Sequence, residues 1–226
     1  MDEIGTNQPD SEVVIVAFDD IDMGNGADEL LVLASASGVT FDGNNGADYI
    51  KAVFSLGGVT INGGNGSDWL EGSTGSDNIS GGRGVDYLFG NLGNDTIDGG
   101  LGDDHITGGK GNDVLTGGRG ADTFYFNYSA TSSGVNINPL RSDGFDTITD
   151  FNVREDKLVL TDTNGSPDTG QIRFDPTETG LAIQFMSTTV PFLGRVQVAE
   201  VFLTGVDVAD GYDLADAIAD GWVVIA

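Results

Sequence analysis

A chain of 226 residues with 38% hydrophobic content has enough apolar material for a packed core, as one large domain or two small ones. Its formal charge of −27, spread as −7, −10 and −10 over residues 1–22, 23–125 and 126–226, argues against nucleic acid and anionic lipid, which require clustered Lys and Arg, and makes cations the natural partner. The absence of cysteine removes disulfides, and the lack of any run of eighteen apolar residues argues against membrane insertion.

Residues 1–22 begin MDEIGTNQPDSE, without the basic start and apolar stretch of a Sec signal. They are predicted to form a lead strand, with Asp19–Ile21 in frame with the coils downstream. Over 23–62 a period of twenty is visible: Asp28, Asp48 and Asp68 recur in GNGAD, NNGAD and GNGSD, and Val39–Phe41 repeats as Val59–Ile61. The intervening turns, SASG at 35–38 and SLGG at 55–58, contain no carboxylate. One row of aspartates is therefore expected to continue toward the N-terminus while a second stops.

From residue 63 to 125 the chain divides without gaps into seven nonamers: GGNGSDWLE, GSTGSDNIS, GGRGVDYLF, GNLGNDTID, GGLGDDHIT, GGKGNDVLT and GGRGADTFY. Positions one and four are always Gly, position six always Asp (68, 77, 86, 95, 104, 113, 122), and position eight always large and apolar. The glycines let a tight turn visit positive φ and leave its carbonyls open to a ligand. The aspartate adds a hard anionic oxygen of the kind calcium takes, among six to eight oxygen ligands. The eighth residue is predicted to point inward from a strand of about three residues. Two nonamers then make a coil of eighteen, and aspartates of successive coils stack about 4.8 Å apart. Carboxylates at that spacing repel, so a cation is expected between them.

This GGxGxDxUx pattern resembles the RTX calcium-binding proteins. The resemblance implies an all-β fold, a right-handed parallel β-roll (a β-helix or solenoid), with ions held between turns eighteen residues apart. Each ion would take the carbonyls of positions two and four and the aspartate of one turn, with the carbonyls of positions one and three and the aspartate of the next. Carried onto this sequence, one ion falls on Gly64, Gly66, Asp68, Gly81, Arg83 and Asp86, and a second on Ser73, Gly75, Asp77, Gly90, Leu92 and Asp95. A third falls on Gly82, Gly84, Asp86, Gly99, Leu101 and Asp104. The fourth takes Asn91, Gly93, Asp95, Gly108, Lys110 and Asp113, and the fifth Gly100, Gly102, Asp104, Gly117, Arg119 and Asp122. About two more would bring the total to roughly seven Ca2+ if Asp28, Asp48 and Asp68 bind in the wider coils. Ser73 and Asn91 depart from glycine at position two, where only the carbonyl is used.

After TFYF at 123–126 comes a polar loop, SATSSGVNINPLRSDG, and then DTITDFNVREDKLVL. The latter resembles the segment that closes the rolls of serralysin-type proteases and alginate epimerase R-modules. Asp146 is expected either to complete a terminal site with Asp122 or to lie on a solvated strand edge. QIRF, LAIQF and RVQVAEVFLTGV read as antiparallel strands of a C-terminal cap over the open end. YDLADAIAD reads as a short helix with Leu214, Ala217 and Ile218 on one face, and GWVVIA as a type I export signal, a last core strand, or both. The organisation expected is 1–22 lead strand, 23–126 calcium-binding roll (twenty-residue coils 23–62, nonamers 63–125), and 127–226 cap with export signal.

No HExxH, GxSxG, P-loop or Rossmann fingerprint occurs, and a thiol nucleophile is excluded. The one histidine, His105, at an outward seventh position, reads as a solvated surface residue rather than a zinc or catalytic group. Trp69 and Tyr87, also seventh and eighteen apart, read as a cross-strand pair or, alternatively, a grip for a sugar ring. The expected function is non-enzymatic: a calcium-dependent folding and stabilising module of a secreted bacterial exoprotein, handled by a type I secretion apparatus. The alternative is a calcium-stabilised module for extracellular polysaccharide or cell-surface adhesion.

Overall fold

The computed structural model describes residues 2–3, 11–14, 20–32, 38–52, 57–128, 144–162, 172–177, 179–186, 197–206 and 213–225. Asp19, most of the two carboxylate-free turns and nearly all of the polar loop lie outside the described residues. The first strands are β1 (Asp2–Glu3), β2 (Ser11–Val14), β3 (Ile21–Asp22), β4 (Glu29–Val32), β5 (Thr40–Asp42), β6 (Tyr49–Ala52), β7 (Thr60–Asn65) and β8 (Trp69–Glu71). The nonamers continue as β9 (Asn78–Arg83), β10 (Tyr87–Leu92), β11 (Thr96–Leu101), β12 (His105–Lys110), β13 (Val114–Arg119) and β14 (Thr123–Tyr128). Beyond them lie β15 (Phe145–Ile148), β16 (Lys157–Asp162), β17 (Ile172–Thr177), β18 (Gly180–Met186), β19 (Gln197–Thr204), helix α1 (Leu214–Asp220) and β20 (Val223–Ile225).

The alternation of half-coils sorts these strands into two parallel sheets, odd-numbered strands from β1 to β15 in one and even-numbered strands from β2 to β16 in the other. The twenty-residue register holds in the first coils, where Ile21 faces Phe41 and then Ile61, and Leu30 faces Ile50 and then Leu70. From there the step is eighteen: Ile61, Ile79, Ile97 and Leu115 in one sheet, and Leu70, Leu88, Ile106 and Phe124 in the other. These eighth-position side chains form two facing columns, each member no more than 2% exposed. The fold is therefore the expected all-β parallel solenoid.

The strands are longer than the expected three residues. In β9 to β13 they run for six, from position seven of one nonamer through position three of the next. Pairing survives the glycines because position one faces inward, position two follows at positive φ, and the third-position carbonyl meets the coil below, as when Gly66 N–H donates to Arg83 O at 2.8 Å.

At the C-terminal end β15 pairs with β13 and β16 with β14, both parallel, so DTITDF and EDKLVL extend the roll by one further coil. The cap differs from expectation in one respect. The hairpin β17–β18 is antiparallel and β18 runs antiparallel to β19, but β19 joins the roll parallel to β15, and β20 joins it parallel to β16. These strands lengthen both sheets rather than lie across their end. Helix α1 begins at Asp213, whose carboxylate accepts from the amides of Ala215 and Asp216 in a capping box, and ends at Gly221 with φ 85°. Leu214 and Ala217 are buried, whereas Ile218 is 43% exposed and does not join their face. Trp222 packs edge-on against Phe151, which in turn meets Phe124, so an aromatic plug closes the column. Val223 is buried in the last strand of the even sheet, so VVI is a core strand.

The columns allow no compensation for a missing side chain, because each half-coil supplies one residue at that height. Leu88→Ala should lower the stability of the calcium-loaded protein by about 2–5 kcal/mol, read from the urea midpoint at unchanged slope. A cost under about 0.5 kcal/mol would contradict the packing described.

Candidate metal centre

From residue 63 onward the turns place one carboxylate per half-coil in the interior. Asp28, Asp48, Asp68, Asp86, Asp104, Asp122 and Asp156 follow one another in the even sheet, and Asp77, Asp95, Asp113 and Asp146 in the odd sheet. All are at most 5% exposed. From Asp48 onward in the first row and from Asp95 onward in the second, Oδ1 is used in the same way: it accepts the backbone N–H of the aspartate one coil earlier, as from Asp68 to Asp86 at 2.8 Å and from Asp95 to Asp113 at 2.8 Å. The second row ends at Asp77, whose Oδ1 accepts from Val59 N–H because no aspartate precedes it. One row thus runs on toward the N-terminus and the other stops, as the spacing predicts.

The other oxygen has a different fate. Oδ2 of Asp48, Asp68, Asp86, Asp95, Asp104 and Asp113 is buried without a hydrogen-bond partner. Leaving a charged oxygen so costs several kcal/mol unless a cation or proton reaches it. The space it enters is made by the inward glycine of its own turn. A methyl group added at Gly81 would lie 2.5 Å from Asp86 Oδ2 and 2.8 Å from Gly99 O; at Gly99 the distances to Asp104 Oδ2 and Gly117 O are 2.5 and 2.6 Å. A carboxylate oxygen of one turn and a carbonyl of the next therefore converge beside the same glycine, where a side chain would exclude them.

In the gap between turns 63–68 and 81–86, Gly64 O faces Gly82 and Gly66 O faces Gly84, while Gly81 O points back toward Asp68 Oδ2. Arg83 O and Asp86 Oδ1 accept from Gly66 and Asp68 amides, each keeping a second lone pair. Among the described residues no three His, Cys, Asp or Glu side chains converge. A metal here must take mostly carbonyl ligands with one or two carboxylates, and an all-oxygen set of about six suits calcium.

A family model for the RTX calcium-binding nonapeptide repeat matches residues 62–97 and 89–124. No curated protein matches the chain. Among solved structures it is similar to the AlgE6R3 subunit of the Azotobacter vinelandii mannuronan C5-epimerase, with 31% identity over 70% of this chain and 77% of that one, and a TM-score of 0.27. The chain belongs to the RTX calcium-binding nonapeptide-repeat family. It is also similar to the extracellular lipase LipA of Serratia marcescens, at 18% identity and a TM-score of 0.44, covering 91% of this chain but only 41% of the lipase.

Three placements depart from expectation. Asp146 is neither beside Asp122 nor solvated: it is 2% exposed and accepts from Asp113 N–H at 2.8 Å. Half-coils alternate between sheets, so the eighth half-coil falls on the row of Asp113. The partner of Asp122 is Asp156, whose Oδ1 accepts from Asp122 N–H at 3.0 Å. Asp156 was legible only as Asp-x-apolar in DKL, without the glycines. Asp150 was not legible as a functional residue either, yet its carboxylate accepts from Gly117 and Gly118 amides at 2.9 and 2.8 Å.

The second departure is Ser73. Asn91 takes up positive φ (76°), but Ser73 and Gly75 do not, and the RTX turn 72–77 is rearranged. Asp77 Oδ2 accepts from Ser73 N–H and Oδ1 from the Ser73 hydroxyl at 3.0 Å. A serine avoids the left-handed region that glycine and asparagine tolerate.

His105 is likewise not a freely solvated residue. It stacks on Tyr87 with ring centroids 4.5 Å apart, and its Nδ1 is 2.9 Å from the Tyr125 hydroxyl. Tyr49, Trp69, Tyr87, His105 and Tyr125 form one row along the outer face of the even sheet. The rings cover one another's faces, which is cross-strand packing.

Burial pushes the repeat carboxylates up, to about 7 for Asp68, Asp95 and Asp104 and to about 6 for Asp48, Asp113 and Asp122, against an ordinary 3.8. A group raised in the folded state binds more protons there than in the unfolded chain, so its stabilising contribution is present below 3.8 and lost as pH rises through 6 to 7. Without metal the roll should keep its β signal at pH about 5 and lose it between about 6 and 7; with millimolar calcium the signal should be flat over that window. Circular dichroism in chelator checks this, and β structure that grows with rising pH would contradict it.

Proposed function

We propose that the chain is the calcium-dependent folding, stabilising and secretion module of an RTX exoprotein, structural rather than catalytic. The observation that carries this reading is the set of buried, partnerless Asp Oδ2 atoms facing the carbonyls of the next turn. In the proposed arrangement residues 1–22 lead into the roll, 23–126 hold five to seven Ca2+ through the repeat aspartates and turn carbonyls, and 127–226 close it and carry the export signal. If each site has a Kd on the order of 10⁻⁴ to 10⁻³ M, millimolar calcium contributes roughly 0.4 to 1.4 kcal/mol per site. Five sites then supply about 2 to 7 kcal/mol, comparable with the ~5–15 kcal/mol that holds a typical domain folded. At micromolar calcium that contribution vanishes and leaves a glycine-rich chain of charge −27, a composition that tends toward disorder. The chain is thus threadable inside a bacterial cell, where calcium is scarce, and folded outside it. Extracellular location and handling by a type I secretion apparatus belong to this reading.

A second reading, recognition of an extracellular polysaccharide, is favoured by one feature. Beside the aromatic row the even sheet bears a groove of about 300 Å³, lined by Phe89, Asn91, Leu92, Thr107, Lys110 and Asn127. An aromatic edge, two amides and a lysine are groups that hold sugars. Glycan arrays probed in millimolar calcium separate the readings, because a folding module alone shows no saturable binding.

Calcium titration followed by circular dichroism, with magnesium as control, tests the main proposal. The expected result is a cooperative gain of β structure at millimolar calcium and none with magnesium. Identical spectra in chelator and in calcium would overturn the folding switch.

A further inference from the structure

The occupancy that the structure favours does not follow the repeats one for one. Upstream of the matched residues, the turn 43–48 has the geometry of the RTX turns. Asn44 and Gly46 hold φ of 70° and 154°, in the places of Gly64 and Gly66 at 104° and 142°. Gly46 N–H donates to Asn65 O at 2.8 Å, as Gly66 N–H does to Arg83 O. Asp48 is 2% exposed, and its Oδ2 has no hydrogen-bond partner. A methyl group at Gly43 would lie 2.6 Å from both that oxygen and Gly63 O, matching the cradles at Gly81 and Gly99. Gly46 O faces Gly66 across the same gap. The spacing of twenty residues instead of eighteen does not alter this turn, because its backbone conformation and its contacts to turn 63–68 repeat those of the nonamers.

Turn 72–77 shows the converse. It fits the repeat pattern, yet Ser73 supplies its amide to Asp77 Oδ2 at 2.5 Å and its hydroxyl to Asp77 Oδ1. Gly75 N–H turns to Ser73 Oγ at 3.1 Å, and the Asn91 side-chain amide donates to Gly72 O at 2.9 Å. Donors of the protein itself already serve both carboxylate oxygens of Asp77, which a metal between this turn and turn 90–95 would need.

We propose that a calcium ion binds between turns 43–48 and 63–68 through Asp48, Gly63 O and Gly46 O, and that no ion binds between turns 72–77 and 90–95. This rests on the calcium reading above and assigns its sites differently from the repeat count.

Crystals of the intact chain grown in CaCl₂ and measured for calcium anomalous scattering provide the test. The expected map has a peak beside Asp48 and Gly63 O, peaks between the regular turns, and none between Asp77 and Gly90. A blank at Asp48, or a peak at Asp77, overturns the proposal while leaving the calcium reading intact; blanks at every turn overturn the calcium reading itself. In solution, calcium stoichiometry by equilibrium dialysis should fall by one ion in Asp48→Asn and remain unchanged in Asp77→Asn. Equal loss in both variants, or loss only in Asp77→Asn, would overturn the assignment.

Discussion

A carboxylate oxygen buried with no hydrogen-bond donor is the constraint around which this structure is arranged. The inward glycine at position one leaves the void that Oδ2 enters, and the glycines at positions two and four hold positive φ and turn carbonyls toward the same gap. Oδ1 is meanwhile spent on the amide of the coil below, which fixes the side chain in one orientation. Desolvating such an oxygen is tolerable only when a cation or a proton compensates it. Calcium concentration and acidity therefore act on one population of groups, and either can satisfy it.

The apolar core alone is thin. Over the nonamers each nine-residue half-coil contributes one large buried side chain, from Leu70 to Phe124, while the residues around it are glycine, aspartate and short polar groups. Ordering nine residues costs more conformational entropy than one leucine offsets. The remainder comes from the parallel ladder and from whatever neutralises the carboxylates. The C-terminal end is built differently: Phe124, Phe151 and Trp222 pack together, and Leu158, Leu160, Leu181, Ile183, Val201 and Leu203 are all buried. That end has a conventional core, which the coils before it lack.

The roll was legible in the sequence because its repeat encodes backbone conformation directly: a glycine, or at 44 and 91 an asparagine, where φ is positive, and an aspartate at the sixth position of every nonamer. The step from twenty to eighteen residues was legible for the same reason, since Asp28, Asp48 and Asp68 keep the frame. Less legible was anything decided by tertiary alternation. Whether Asp146 meets Asp113 or Asp122 depends on which sheet the eighth half-coil joins, and the insertion between residues 128 and 144 conceals that parity. The rearranged turn at Ser73 illustrates a different limit. Position two uses only its carbonyl, which suggests that any residue serves; but the carbonyl's direction depends on φ, and asparagine reaches that φ where serine does not.

The odd row of carboxylates at its start and the even row at its far end are closed by hydrogen bonds in place of further repeats. At the start of the odd row, Ser73 and Val59 take up the oxygens of Asp77. At the far end of the even row, Asp150 takes the amides of Gly117 and Gly118 in the turn that carries Asp122, while its neighbour Phe151 enters the aromatic plug. A solenoid must end by satisfying its last amides and carbonyls, since an open sheet edge pairs with other chains. Side-chain oxygens and hydroxyls do so here by imitating the partners that another coil would have offered. The same step lengthens the register from eighteen residues to 33 and 34, which carries the chain out of the repeat and into the strands that extend the two sheets.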